Sequence, residues 1–322
     1  MTTKAACPTP YSFEQGLIRP PAEAESLLLR LTRNCPWNRC SFCPLYKNET
    51  FSIRDADSLI VKPEDLKEIL TRINRYFPEV KRITSFARTR TLINIGDADL
   101  KTYADLGLNR IHSGLETGSD RILKLVDKGC TKEMHVAAGK KVRDAGIELS
   151  ECVLLGLGGK ELSEEHARET ADVINQIDPP IIRFLTLVPP RYRALFKSEE
   201  SRSYVPATEL DIARETRQFL ENLNGVTSFV ESRNIVNLHQ EVEGIMPDDQ
   251  EKMIDVLTRF IDLPHDRRTA YQVGKRLGIF SRLADLNDQR RLHMVREACN
   301  QYNIDSDNAD SVIREMMQRY FS

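Results

Sequence analysis

Residues 148–188, ELSECVLLGLGGKELSEEHARETADVINQIDPPIIRFLTLV, hold one complete strand–helix–strand unit. Residues 148–155 read as a strand that ends in Gly156, Gly158 and Gly159. Residues 163–177 read as a helix. Ser163 is its expected N-cap, and Glu164 and Glu165 place negative charge at the positive end of the helix dipole. Residues 181–188 read as the next strand. A helix between two strands carries the chain back to the same end of the sheet, so the strands run parallel.

The alternation continues upstream. Residues 27–31 read as a strand, and 58–61 form a short apolar run. Lys62-Pro63-Glu64-Asp65 then has the form of a helix start, with Leu66, Ile69, Leu70, Ile73 and Phe77 at helical spacing. Strands are expected at 82–87 and 110–115, and helices at 97–106, 120–127 and 132–145, stopped by Gly107, Gly129 and Gly146. The pattern predicts an α/β fold, either a doubly wound sheet or a barrel. Beyond about Arg191 only helices are expected: 209–223, one opened by Pro247, then 267–277, 289–300 and 310–320. The chain thus divides into an N-terminal extension (1–21), an α/β core (22–200) and a C-terminal helical region (201–322).

Composition bounds the function. Of 322 residues, 40% are hydrophobic and 29% charged, enough apolar material for a sizeable core. Lys plus Arg number 46 against 48 Asp plus Glu, so no overall basic excess calls for nucleic acid. A local basic patch at Arg267, Arg268, Lys275, Arg276 and Arg282 reads as a solvated face or an RNA surface. No apolar run approaches the roughly 18–20 residues of a membrane span. Residues 1–16 lack the apolar stretch of a secretory leader, and seven irregularly spaced cysteines do not form a disulfide framework, so a reducing cytoplasm is expected.

Three of those cysteines, Cys35, Cys40 and Cys43, fall within nine residues, NCPWNRCSFC being the surrounding stretch. A structural zinc site usually has four protein ligands, and no fourth Cys or His lies within twenty residues downstream. Three thiolates suit an iron–sulfur cubane whose fourth iron stays open to a small molecule. Zinc remains the alternative, which would make the chain a zinc- or RNA-binding barrel protein without catalysis.

The stretch LLLRLTRNCPWNRCSFCP (27–44), with RIHSGLETGSD (110–120), VLLGLGGKE (153–161) and residues 80–92, resembles the radical S-adenosylmethionine (SAM) superfamily. Within it the chain is similar to uncharacterised members related to the cobalamin-linked and methylthiotransferase branches, although no cobalamin domain or second cysteine triad is seen. The spacing here is C-x4-C-x2-C where the family usually has C-x3-C-x2-C. The resemblance implies a partial (βα)6 TIM-like barrel with its site at the C-terminal strand ends and a helical extension behind it. It implies a 4Fe-4S cluster on Cys35, Cys40 and Cys43, and reductive cleavage of SAM to a 5′-deoxyadenosyl radical that abstracts hydrogen from an unknown substrate. An electron donor such as flavodoxin or ferredoxin is implied as partner. A tRNA-modifying or heme-pathway-like enzyme is the alternative within the family.

Strand alternation nominates further residues. On 110–116, His112, Gly114 and Glu116 face opposite to Ile111, Ser113 and Leu115; on 82–88, Thr84, Phe86 and Arg88 share a face. Apolar residues point out to the helices, so the first sets point inward. Glu116 is the candidate for the SAM ribose or ammonium, or else a salt-bridge carboxylate. Arg88 would clamp a carboxylate of SAM or substrate, or form a structural ion pair. His112 reads as a core histidine. Phe42 would pack near the adenine or plug the space beneath the cluster. Gly156 and Gly158 resemble the family's glycine motif near the adenine, or make a plain tight turn. The family's Gly-Gly-Glu segment has no plain counterpart, and Asp57 is the candidate for its carboxylate. Only fourteen residues separate Cys43 from Ser58, so the first crossover departs from the family pattern.

Overall fold

The structure is a computed structural model and describes residues 26, 27, 29, 31, 35–43, 57–188, 204–305 and 307–318. Four strands, β1 (Ile83–Ala87), β2 (Leu108–Glu116), β3 (Glu148–Leu155) and β4 (Ile181–Thr186), lie side by side in chain order and run parallel. Sequential order means that every crossover steps the same way around the sheet. That is the winding of a barrel wall, whereas a doubly wound sheet reverses its order partway.

Helices form where the sequence supplies starts and stops. Helix α1 (Pro63–Tyr76) opens with Pro63 in its first turn and Glu64 and Asp65 on the dipole, and buries Leu66 and Leu70. Helices α2 (Thr89–Asn94) and α3 (Asp97–Asp105) link β1 to β2. Helices α4 (Asp120–Leu125) and α5 (Lys132–Asp144) link β2 to β3, capped by the side chains of Ser119 and Thr131. Helix α6 (Ser163–Ile177) links β3 to β4. Its N-cap is Leu162; Ser163 instead donates its hydroxyl to Glu215 at 2.7 Å.

Beyond residue 191 the expectation that strands stop is overturned. Helix α7 (Glu209–Glu221) is a further crossover, and β5 (Phe229–Glu231) pairs parallel to β4. The short β6 (Gly244–Ile245) returns antiparallel to β5. Helices α8 (Gln250–Ile261), α9 (His265–Arg276), α10 (Gln289–Gln301) and α11 (Ala309–Gln318) complete the chain, α8 starting three residues after Pro247. The strand expected at 27–31 is not seen: Leu27, Leu29 and Leu31 carry no strand, and the other two positions lie outside the described residues. The run 58–61 is a single 3-10 turn, Ser58–Ile60.

The two faces of the sheet differ. Ile111, Leu115, Leu149, Val153, Ile182 and Phe184 pack outward against Ala138, Val142, Ala167, Ala171, Ile174 and Phe219. Helices α5 and α6 meet closely at Gly139, where a Cβ would stand 2.6 Å from Ile177. The other face carries His112, Gly114, Ser150, Cys152, Leu154 and Arg183, matched across the strands. A second core of Phe42, Ile122, Val126, Leu154, Leu157, Leu187 and Tyr204 closes the C-terminal strand ends. No helix of the described residues is long and apolar enough to cross a membrane.

Candidate active site

The cysteine loop is moored to one turn. That turn, 126–130, follows α4. Ser41 donates its amide to the Val126 carbonyl at 2.9 Å, and the Trp37 indole donates to the Asp127 carbonyl at 2.6 Å. Arg39 pairs with Asp127 at 3.0 Å. The indole lies directly on Gly129, where a Cβ would be 2.5 Å from a ring carbon. Arg39 and Arg88 flank the indole at 4.8 and 5.4 Å, a cation–π arrangement. From this mooring Phe42 drops into the second core, only 6% exposed, with Cys40 and Cys43 against the same cluster. Burying such a ring contributes roughly 1.5–3 kcal/mol. Phe42 is thus buried beneath the loop.

Cys40, Cys35 and Cys43 are each half-buried. Burial pushes the Cys40 thiol up to about 11; Lys128 pulls in the opposite direction, while Glu116, Cys35 and Cys43 add to the rise. Cys40 is thus within electrostatic reach of both other cysteines, and of one cation. Among the described residues no group of three or more His, Cys, Asp or Glu side chains is gathered as a metal would hold them. The donor chemistry nevertheless fits a thiolate-held metal group: three thiols on one loop, an apolar floor, and a lysine that offsets thiolate charge. A fourth ligand of the zinc type is not presented by the loop. The neighbouring thiol, Cys130, is engaged with His135 Nε2 at 3.2 Å, whose Nδ1 meets the Thr89 hydroxyl at 2.9 Å.

Glu116 ends β2 in an unusual way. The pairing of β2 with β3 slips between Gly114 and Glu116, a bulge at the strand end. Glu116 has φ of +62°, and the Thr117 amide donates to the Leu115 carbonyl at 2.8 Å across it. The result is a γ-turn centred on a glutamate, a conformation that costs about 1–3 kcal/mol and collects at functional sites. The carboxylate folds back over Gly114 and accepts from Lys128 at 2.9 Å, both side chains 14% exposed. A Cβ at Gly114 would stand 2.4 Å from Glu116 Oε1 and 3.1 Å from Lys128 Nζ, so glycine is what lets the pair lie there. Burial works against the Lys128 ammonium, but Glu116, Cys40 and Cys130 outweigh it and hold the lysine above its ordinary range. Lys128 also stands 5.6 Å from the Phe42 ring.

The remaining nominated residues divide. Arg88 follows β1 and joins this neighbourhood, its guanidinium on Trp37 and its Nη2 3.5 Å from the Lys128 carbonyl. Asp57 is fully buried and accepts from the Thr91 hydroxyl at 2.5 Å. Burial lifts its carboxyl to about 6 against that hydrogen bond and the charge of Arg88. His112 is buried beside Phe86, ring centroids 5.1 Å apart. Gly156 donates its amide to Glu215 at 2.7 Å and accepts from the Tyr204 hydroxyl at 3.1 Å. A Cβ on Gly158 would stand 2.8 Å from the Leu162 carbonyl oxygen. Both glycines thus allow close approach of this chain to itself, and a cleft of about 370 Å3 opens beside them, lined by Arg121, Lys124, Gly158, Glu161, Tyr204 and Val205. Sequence reasoning passed over Lys128 and Trp37 and took Gly129 only as a helix stop; the dipeptide Lys128-Gly129 after a short helix was the one available signal.

Residues 84–174 match the family model described as Radical SAM superfamily. A tRNA-2-methylthio-N(6)-dimethylallyladenosine synthase of Syntrophus aciditrophicus (strain SB) is 30% identical over 107 residues, 31% of this chain and 23% of that protein. This chain thus matches less than a quarter of the length of that curated relative. Among solved structures, the archaeal Methanocaldococcus infernus Elp3 lacking residues 1–46 overlays with a TM-score of 0.42 at 14% identity, covering 55% of this chain and 45% of that one. Coproporphyrinogen III oxidase (HemN) from Escherichia coli gives 0.40 at 18% identity, covering 51% and 38%. The likeness to the radical SAM superfamily thus lies in residues 84–174, the stretch that runs from β1 into α6.

Proposed function

We propose that the chain is a radical SAM enzyme: Cys35, Cys40 and Cys43 hold a 4Fe-4S cluster, and SAM binds beside it at the strand ends. When bound, such a cluster supplies the electron that cleaves SAM into methionine and a 5′-deoxyadenosyl radical, which takes hydrogen from a substrate not yet identified. Phe42 floors the loop with hydrocarbon and keeps water from the underside of the site. Lys128 offsets the charge of the thiolates and holds Glu116 in place. Glu116 receives the ribose hydroxyls or the ammonium group of SAM, and Arg88 receives a carboxylate. Gly156 and Gly158 form the wall nearest the adenine, and Asp57 supports the Arg88 turn from below. The observation that carries this reading is the strained Glu116, ion-paired to Lys128 and electrostatically coupled to Cys40.

Flavodoxin or ferredoxin serves as reductant on this reading, in the cytoplasm. The test is anaerobic reconstitution with iron and sulfide, then dithionite and SAM. Methionine and 5′-deoxyadenosine should form, and Cys40→Ala should abolish both the brown colour and the products. Zinc bound without iron or sulfide would overturn the proposal. A tRNA-modifying role is a second reading, favoured by the likeness to the Syntrophus tRNA-2-methylthio-N(6)-dimethylallyladenosine synthase. It requires that product formation rise when tRNA is added.

A further inference from the structure

We infer that Glu215 is a positioning residue for the glycine turn: from α7 it holds the Gly156 amide and so sets the wall on which the adenine of SAM rests. This inference deepens the reading of Gly156 and Gly158 given above and rests on it for its functional part.

The ladder of β3 with β4 ends at Leu155, opposite Thr186. The chain then turns sharply: Leu157 donates its amide to the Leu154 carbonyl at 3.2 Å, and Gly159 to the Gly156 carbonyl at 3.0 Å. Gly156 and Gly159 have φ of +80° and +63°. Glycine reaches many backbone shapes at little cost, so this turn takes its shape from what it bonds to outside itself. Three such bonds come from one stretch, residues 204–215. The Gly156 amide donates to Glu215 Oε1 at 2.7 Å, the Tyr204 hydroxyl donates to the Gly156 carbonyl at 3.1 Å, and the Lys160 amide donates to the Val205 carbonyl at 2.8 Å. The two segments touch closely: a Cβ on Gly159 would stand 2.6 Å from the Val205 carbonyl oxygen and 2.7 Å from the Tyr204 ring.

The bond to Glu215 is the one made inside the core. Glu215 is 2% exposed and shares α7 with the buried Ile212, Phe219 and Leu220. Ile212 itself would stand 3.1 Å from a Cβ on Gly156. A carboxyl at such a position is costly unless its oxygens are bonded. Both are: Oε1 receives the Gly156 amide, and Oε2 receives the Ser163 hydroxyl at 2.7 Å. Gly156 opens the turn, and Ser163 begins α6 beyond it. One side chain on α7 therefore ties down both ends of the 156–163 segment. The amide bond fixes the plane of the peptide that enters the turn, and with it the backbone surface that 156–158 presents. No contact with SAM is needed for this role; Glu215 acts through the backbone.

The experiment uses the full chain in three forms: native, Glu215→Met and Glu215→Gln. Methionine fills similar space without an acceptor oxygen. Glutamine repeats both bonds, its oxygen to the Gly156 amide and its amide to the Ser163 hydroxyl oxygen. Amide hydrogen exchange is followed by mass spectrometry on the chain without cofactor. Affinities for SAM and for free methionine, which lacks the nucleoside, are measured on the reconstituted protein. Glu215→Met should raise exchange across 156–160 about tenfold while β2 stays protected. It should weaken SAM about tenfold and leave methionine within about threefold of native, a split that general loosening of the fold does not give. Glu215→Gln should keep all three readouts within about threefold of native. Unchanged exchange at 156–160 in Glu215→Met, or equal losses of SAM and methionine, would overturn the inference. So would fast exchange at 156–160 in the native chain, a measurement that stands even if the methionine variant fails to fold. Local opening with SAM affinity intact would support the hold of Glu215 on the turn and sink the reading of Gly156 and Gly158 as the adenine wall.

Discussion

Two of the enclosed acid–base pairs among the described residues are built differently. Arg276 of α9 and Glu209 of α7 are 1% and 5% exposed. The arginine gives two bonds to Glu209 and a third to the Val236 carbonyl, and Gln272 occupies the other carboxylate oxygen at 2.9 Å. That pair ties α7 to the helical region, and both carboxylate oxygens of Glu209 are engaged. Lys128 and Glu116 share one direct bond at a strained turn, beside a thiol loop. A saturated network fixes architecture, whereas a pair with spare bonding capacity can take a ligand.

The comparison predicts unequal consequences of cutting each pair. Arg276→Met leaves Glu209 buried with only Gln272 to meet it, and should cost about 3–5 kcal/mol in chemical denaturation. The double change Arg276→Met with Glu209→Leu should recover much of that loss, because no charge is then stranded. If the double variant is as unstable as the single one, the pair is not the lock described here.

A third buried carboxylate sharpens the contrast, since Asp57 has a hydroxyl for a hydrogen-bond partner in place of a cation. Its folded value, raised from 3.8 to about 6 chiefly by burial, means that the fold prefers the neutral acid. Its contribution is therefore full below about pH 3.8 and is lost as pH rises through about 6. Asp57→Asn keeps an acceptor for Thr91 and cannot ionise. Between pH 4 and pH 7 the variant should gain about 2–3 kcal/mol relative to native. Parallel stability profiles for the two proteins over that range would show that Asp57 does not titrate as its burial demands.

Lys128→Met probes the pair at the site. Glu116 is less enclosed than Glu209 and can turn toward solvent, so the loss should be about 1–2 kcal/mol, well below that of Arg276→Met. SAM binding should fall far more steeply than stability. Equal losses for the two pairs would erase the distinction between architecture and site.

Much of the architecture was legible because its signals are local. Proline and acids at the start of α1, glycines after α3 and α5, and the apolar run that ends β3 each act within a few residues. Strands β5 and β6, at three and two residues, are too short to show a period, so α7 read as part of a helical tail although it is a crossover. At the site, the thiols and Glu116 stand out by residue type, and the pleat argument placed Glu116 on the side of Gly114, where it lies. The bulge and γ-turn that carry it there arise in the pairing with the next strand, a long-range partner that no local pattern announces. Lys128 was missed for the same reason: it comes from a turn twelve residues further along the chain and gains meaning only through what docks on it.

The smallest global effect should come from Gly129→Ala, and it isolates the mooring of the cysteine loop from both ion pairs. Gly129 has φ of +76°, which costs a residue with a Cβ about 1–2 kcal/mol, and that Cβ would press into the Trp37 ring at 2.5 Å. The indole can move, so much of the clash is relieved by undocking the loop and not by disturbing the sheet. Trp37 is the only tryptophan in the chain, so its emission reports this one contact. In Gly129→Ala the emission should shift to the red and become open to a soluble quencher, while the unfolding midpoint falls by only a few degrees. Lys128 and Glu116 keep their bond in this variant, so any loss of cluster retention comes from the displaced loop. Emission unchanged from native would mean that the indole does not rest on Gly129, and the mooring of Cys35, Cys40 and Cys43 would then have to lie elsewhere.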